Sequence, residues 1–220
     1  MHGYLADKNS FIYQYPFFER EFEIKTFDFK GFGQNKGMAY PYSLDDYVDE
    51  LVEFMENEKV VFPHVIAHSF GARVALKSTY KYPNLFDKMV LTGAAGLKPK
   101  RTIKKSVKKV AFNALKKFIP KEKLKRFYSE DYLALDSVMK NSFIKIVNEH
   151  LDEILPFVKN KTLLVFGDGD KQTPLYMARR LHEGIKNSKL VVINGAGHFA
   201  FIDKSIKFNV LTREFLLSKE

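Results

Sequence analysis

The feature that most constrains this chain is an alternation of short apolar runs, rich in β-branched residues, with stretches of helical pattern. Residues 23–28, 64–67, 89–92, 162–166 and 190–193 read as strands. Runs this short and this uniformly apolar are what parallel strands need when both faces of the sheet are covered. A helix is expected to open at Ser43. Asp45 and Asp46 suit its first turn, and Leu44, Tyr47, Val48, Leu51, Phe54 and Met55 mark one apolar stripe. Further helices are expected over 71–81, stopping at Tyr82-Pro83, over 175–185 and over 206–217. Strand–helix alternation of this kind predicts an α/β fold, a doubly wound and mostly parallel sheet with right-handed crossovers.

Residues 97–160 break the rhythm. They hold helical patterns around 103–119, 122–128 and 132–155 and no good strand, so they read as a helical insertion at the carboxyl edge of the sheet, where ligands bind in open α/β folds. The expected organisation is a core of 1–96 and 161–220 carrying a basic helical cap, 97–160.

Charge sharpens that division. Of 36 Lys and Arg residues, thirteen fall between positions 98 and 126 beside a single acid, Glu122, so the remaining 23 basic and 25 acidic residues leave the rest slightly acidic. The basic stretch reads first as the solvated face of a cap helix whose buried face is Ile103, Val107, Val110, Ala111, Ala114, Leu115 and Phe118. Docking to an anionic membrane surface and steering of anionic acyl substrates are its other two readings. Nucleic acid is not an expected partner, because the rest of the chain offers no recognition module. With no cysteine there is no disulfide framework and no thiolate chemistry. No ligand-spaced His and carboxylate cluster suggests a metal. The first residues lack the basic-then-apolar pattern of a secretory signal, and no apolar run approaches the ~20 residues of a spanning helix, so a cytoplasmic protein is expected.

The chemistry concentrates at three turns. In Val65-Ile66-Ala67-His68-Ser69-Phe70-Gly71, a strand runs into a serine and a helix leaves it at once. A serine exposed at a strand tip needs a tight, strained turn, and small residues two before and two after it, here Ala67 and Gly71. A serine also needs a base and a group to orient that base. Strand 162–166 ends in a turn holding two carboxylates, Asp168 and Asp170, followed by Thr173-Pro174. Strand 190–193 ends in a glycine-rich turn holding His198. His64, His68, His150 and His182 read as structural or solvent-exposed.

This combination resembles the α/β-hydrolase fold family, in the capped serine hydrolase and carboxylesterase-like branch with its insertion after the sixth family strand. Besides the Ser69 elbow, Asp28-Phe29-Lys30-Gly31-Phe32-Gly33 resembles the family's D-x-x-G-x-G turn, and His2-Gly3 resembles its H-G pair. The resemblance implies a catalytic triad of Ser69, Asp170 and His198, with Asp170 rather than Asp168 chosen by the family's spacing. It implies an oxyanion hole from the N–H groups of Phe70 and Tyr4, with His2 and Gly3 shaping the site. Tyr128, Tyr132, Met139 and Phe143 are candidates for an apolar acyl pocket, though cap packing accounts for them equally. No cofactor is implied, and the partner is a small-molecule acyl substrate.

One departure stands out. Only Met1 precedes His2, so the family's first three strands are missing from this sequence. Either Met1 is internal to a longer polypeptide, the favoured reading, or the sheet is rearranged. A chain without those strands is expected to have low stability, weak activity and a poorly anchored oxyanion loop. The expected function is hydrolysis of a carboxylic ester or related acyl compound. The alternatives are a non-catalytic binding protein of the same fold, or the same fold with carbon–carbon hydrolase or haloperoxidase chemistry.

Overall fold

The computed structural model describes residues 1–100 and 135–219. Its sheet has four parallel strands in sequential order: β1 (Val65–His68), β2 (Lys88–Thr92), β3 (Lys161–Gly167) and β4 (Ser188–Ile193). Five helices longer than one turn are described: α1 (Leu44–Asn57), α2 (Phe70–Lys81), α3 (Ser137–Asn148), α4 (Leu175–Gly184) and α5 (Ser205–Leu217). At the head of α1, Asp46 N–H donates to Ser43 Oγ while Ser43 N–H donates to the Asp46 carboxylate at 2.6 Å, a reciprocal cap that satisfies donors the helix leaves open.

The central strands β2 and β3 bury both faces, and their residues alternate between two cores. Met89 and Leu91 of β2 with Leu164 and Phe166 of β3 point into a core shared with α1, α2 and α4. Val90, Leu163 and Val165 point the other way, against Phe201, Phe208 and Leu216 from the carboxyl-terminal helices. A period of two along each strand sets this division. The same covering of both faces leaves β2 with no exposed residue.

Two expectations need correction. Residues 23–28 run without regular secondary structure and pair with no strand. A β-type run becomes a strand only when a partner lies about 4.8 Å away, and among the described residues the flank of β1 away from β2 is bonded to Met1 instead. Met1 N–H donates to Ile66 O at 2.6 Å, and His68 N–H donates to Met1 O at 3.0 Å. Those bonds, with Gly71 N–H donating to His2 O at 3.1 Å, also tie down the loop expected to be poorly anchored. The second correction concerns 132–155, read as one helix. Among its described residues, α3 ends at Asn148 and a 3₁₀ helix follows over Asp152–Phe157. The buried Arg73 guanidinium donates to the carbonyls of Ile146 and Glu149, taking up acceptors at the end of α3. The expected helices over 103–119 and 122–128, and most of the basic stretch, lie outside the described residues. No described helix is long and apolar enough to cross a membrane.

Candidate active site

The strands' carboxyl ends present the three turns along one rim. β1 ends at His68, and Ser69 follows with φ 49° and ψ −103°, a left-handed backbone that a non-glycine residue adopts only at a cost of about 1–3 kcal/mol. Neighbouring bonds hold it there. Ser69 N–H donates to Thr92 O at 3.1 Å, and Ser69 O accepts from Arg73 and Ala95. Gly71 must be glycine, since a Cβ there would lie 2.7 Å from the carbonyl oxygens of both Met1 and His2. The spacing rule read from the sequence thus has a concrete cause, the passage of the amino-terminal segment across the first turn of α2.

At the opposite end of the rim, Asp170 and His198 form a buried pair, Nδ1 to Oδ2 at 2.8 Å. The Asp170 carboxylate also accepts from Gln172 N–H, Thr173 N–H and the Thr173 hydroxyl at 2.8, 2.9 and 2.7 Å. Burial alone would raise its pKa, but the bonds from His198 and Thr173 outweigh burial and hold it below the usual carboxylate range. An ionised Asp170 accepts from Nδ1–H, so the imidazole's Nε2 carries the lone pair a general base needs. Asp168 instead accepts from Gly195 N–H at 2.8 Å and shapes the turn.

His198 is linked back to the serine through His68, the residue before it. The two imidazole rings lie 4.7 Å apart, and His68 Nε2 is 3.2 Å from His198 O. Because a carbonyl only accepts, that nitrogen carries the proton. Burial, reinforced by the neighbouring His198, lowers the His68 pKa to about 3 and keeps the ring neutral. Gly93, at φ +52°, lies beneath His198, and a Cβ there would meet its carbonyl at 2.9 Å. Ser69 Oγ makes no hydrogen bond to His198 in this structure. Such bonds commonly tighten only when substrate is bound.

Gly3 and Tyr4 stand over the elbow. A Cβ on Gly3 would lie 3.6 Å from Ser69 Cβ, and the Tyr4 ring meets Phe70 edge-on at 5.7 Å. The Tyr4 hydroxyl donates to Met139 O at 3.0 Å, fastening this loop to α3. His2 is buried against the rings of Phe29 and Phe32. Phe29 N–H donates to its Nε2 at 3.0 Å, so its proton sits on Nδ1 and is directed to Gly3 O at 2.8 Å. Burial lowers its pKa to about 4. Both ring nitrogens are therefore spent on backbone. Of the pocket candidates, Met139 is buried over Gly31, whereas Phe143 is half-buried beside Tyr4, ring centroids 5.0 Å apart. Tyr128 and Tyr132 lie outside the described residues. Thr173 and His68 are the contributors that pattern reading did not assign. Thr173 was visible only as a hydroxyl three residues past the acid. No group of three metal-ligating side chains occurs among the described residues.

A strained serine elbow, a buried Asp–His pair and a glycine turn on one parallel-sheet rim define an α/β-hydrolase. The sequence model of the family described as "Serine aminopeptidase, S33" matches residues 12–205, and the chain belongs to that family. An uncharacterised hydrolase, YugF of Bacillus subtilis (strain 168), is 24% identical over 234 residues, covering 90% of this chain and 81% of that protein. A 2-hydroxy-6-oxo-6-phenylhexa-2,4-dienoate hydrolase of Comamonas testosteroni is 28% identical over 177 residues, 70% of this chain and 62% of that one. The solved structure of the esterase EaEST from Exiguobacterium antarcticum superposes with a TM-score of 0.79 at 25% identity, covering 99% of this chain and 90% of that one.

Proposed function

We propose that this hydrolase cleaves a carboxylic ester or related acyl substrate through an acyl-enzyme on Ser69. The observation that carries the reading is the Asp170–His198 bond, which leaves Nε2 as the basic nitrogen on the rim that holds the half-buried Ser69. His198 takes the serine proton as Ser69 Oγ attacks the carbonyl carbon, and returns it to the leaving alcohol as the tetrahedral intermediate collapses. Water then repeats the sequence on the acyl-enzyme, releasing the acid and freeing Ser69. Asp170 holds the imidazole in one tautomer and stabilises the imidazolium. The N–H groups of Phe70 and Tyr4 receive the developing oxyanion, and a missing donor of this kind typically costs about 3–4 kcal/mol.

The esterase likeness supports an ester, and the likeness to a dienoate hydrolase supports carbon–carbon cleavage by the same residues as the second reading. Turnover of p-nitrophenyl esters of graded chain length, beside a 2-hydroxy-6-oxo-dienoate, separates the two. Ser69→Ala should lower kcat on the accepted substrate by at least ~10³-fold. Undiminished turnover in that variant would overturn the triad, and exclusive use of the dienoate would replace the ester.

A further inference from the structure

The turn that carries Tyr4 is strained. Ala6 N–H donates to Gly3 O at 3.3 Å, closing a four-residue turn with Tyr4 and Leu5 at its centre. Leu5 has φ 59°, in the left-handed region that glycine or asparagine usually serves at the third position of a turn. A leucine persists there only when the surrounding structure over-determines it. Its own side chain supplies little of that hold, being 47% exposed. Gly3 has no side chain and Ala6 only a methyl group, so the turn's side-chain grip on the rest of the molecule passes through Tyr4.

Tyr4 reaches three elements at once. Its ring meets Phe32 of the 28–33 turn at 4.9 Å and Phe70 of α2 at 5.7 Å, both edge-on. Phe143, at 5.0 Å, belongs to α3, and the Tyr4 hydroxyl donates to Met139 O of the same helix at 3.0 Å. A helical carbonyl serves the N–H four residues on and keeps a second lone pair, so this bond forms without opening α3. α3 is itself seated on the body of the molecule. Ser142 Oγ donates to Tyr42 O at 2.9 Å, and Lys145 Nζ to Pro41 O at 2.7 Å. Ring packing tolerates sliding, whereas the hydroxyl bond is directional and fixes where the ring sits.

We propose that the Tyr4 hydroxyl is a latch that makes this strained turn depend on the seating of α3. The inference rests on the ester-hydrolase reading, in which the Tyr4 N–H receives the oxyanion, and it makes the Tyr4 side chain a positioning residue for that N–H. With the latch made, the Tyr4 backbone is held and Leu5 takes the left-handed conformation that closes the turn. With it broken, Leu5 relaxes toward negative φ and the N–H moves off the rim. An oxyanion exists in the transition state and not in the bound substrate, so the latch acts on kcat rather than on KM. A displacement of α3 is thereby read out as a change in rate.

The test removes the hydroxyl first and the strain second. Tyr4→Phe keeps the ring and its packing, and kcat on the accepted substrate should fall about tenfold with KM within about twofold. Amide exchange at Ala6, whose N–H closes the turn, should quicken at least ~5-fold in the same variant. Adding Leu5→Gly, which adopts positive φ without steric cost, should return kcat to within about threefold of the original. Undiminished kcat or unchanged exchange in Tyr4→Phe would overturn the proposal, and so would a double variant no faster than Tyr4→Phe alone. Failure of the underlying reading is seen elsewhere, as turnover that survives Ser69→Ala.

Discussion

The two flanks of β1 differ sharply although they belong to one four-residue strand. Toward β2, every residue of β1 has a partner in register, from Val65 opposite Met89 to His68 opposite Thr92. Away from β2, Met1 supplies one rung and an apolar cavity follows. The rim that carries Ser69 inherits this asymmetry. Ser69 is held by the paired flank, through Thr92 O and Ala95 N–H. The loop carrying Tyr4 is held from the open flank, through Met1, His2 and Gly71. Proposed nucleophile and proposed oxyanion donor are thus fixed by different halves of the molecule, joined where His2 O meets Gly71 N–H.

This contrast can be broken from either side. The largest effect is expected at the Asp170–His198 pair, far from the open flank. Asp170→Asn should lower kcat by about 10³–10⁴-fold with Tm little changed, because the neutral amide favours the wrong imidazole tautomer. Esterase assays beside thermal melts check this, and retained kcat would remove Asp170 from the triad. Next comes the junction. Gly71→Ala drives a methyl group against two backbone oxygens, for about 1–3 kcal/mol of lost stability. Denaturant melts should show that loss, and kcat should fall more than KM changes, since the displaced group is the Tyr4 loop. Full stability in the variant would mean the two halves are not rigidly joined there.

A smaller effect belongs to Thr173, which donates to the carboxylate and so acts as a positioning residue. Thr173→Val removes one bond to a charged group, about 1.5 kcal/mol or roughly tenfold in kcat/KM. Thr173→Ser should recover most of that loss, and equal loss in both variants would point to packing instead. The last contrast is read per pH unit, as a slope. His68 and His2 have folded pKa values of about 3 and about 4 against 6.5 in the unfolded chain. The unfolded chain therefore binds more protons, and stability is full above pH 6.5 and falls as pH drops toward those values, by about 1.4 kcal/mol per pH unit for each group. Glu50 acts in the opposite sense. Burial raises its pKa to about 7 against 4.5, so its contribution declines as pH rises through that interval. Melts of His68→Gln and Glu50→Gln across pH 4.5–7.5 should flatten the acid and neutral slopes respectively, and unchanged slopes would assign them to other groups.

How much of this was legible in the sequence follows from which interactions are local. The elbow was readable because Ala67, Ser69 and Gly71 lie within five residues, and strand, serine and helix must succeed one another there. The Asp170 and His198 turns were readable because each directly follows an apolar strand. Residues 23–28 misled because their composition is that of a strand while pairing depends on a neighbour that composition does not reveal. The break between α3 and the 3₁₀ helix over Asp152–Phe157 escaped notice for a similar reason, since Arg73, some seventy residues earlier in the chain, takes up the carbonyls at that end. His2 was assigned to the site by resemblance, yet its nitrogens are committed to Gly3 and Phe29, contacts fixed only by the folded loop.

The central claim, a serine activated at the tip of β1, is tested most directly by locating a covalent label. Incubation with a fluorophosphonate, followed by digestion and mass spectrometry, should find one phosphonylated residue, Ser69, and no adduct in Ser69→Ala or in protein unfolded before labelling. Absence of any adduct on the folded protein, or an adduct on another serine that survives Ser69→Ala, would contradict it.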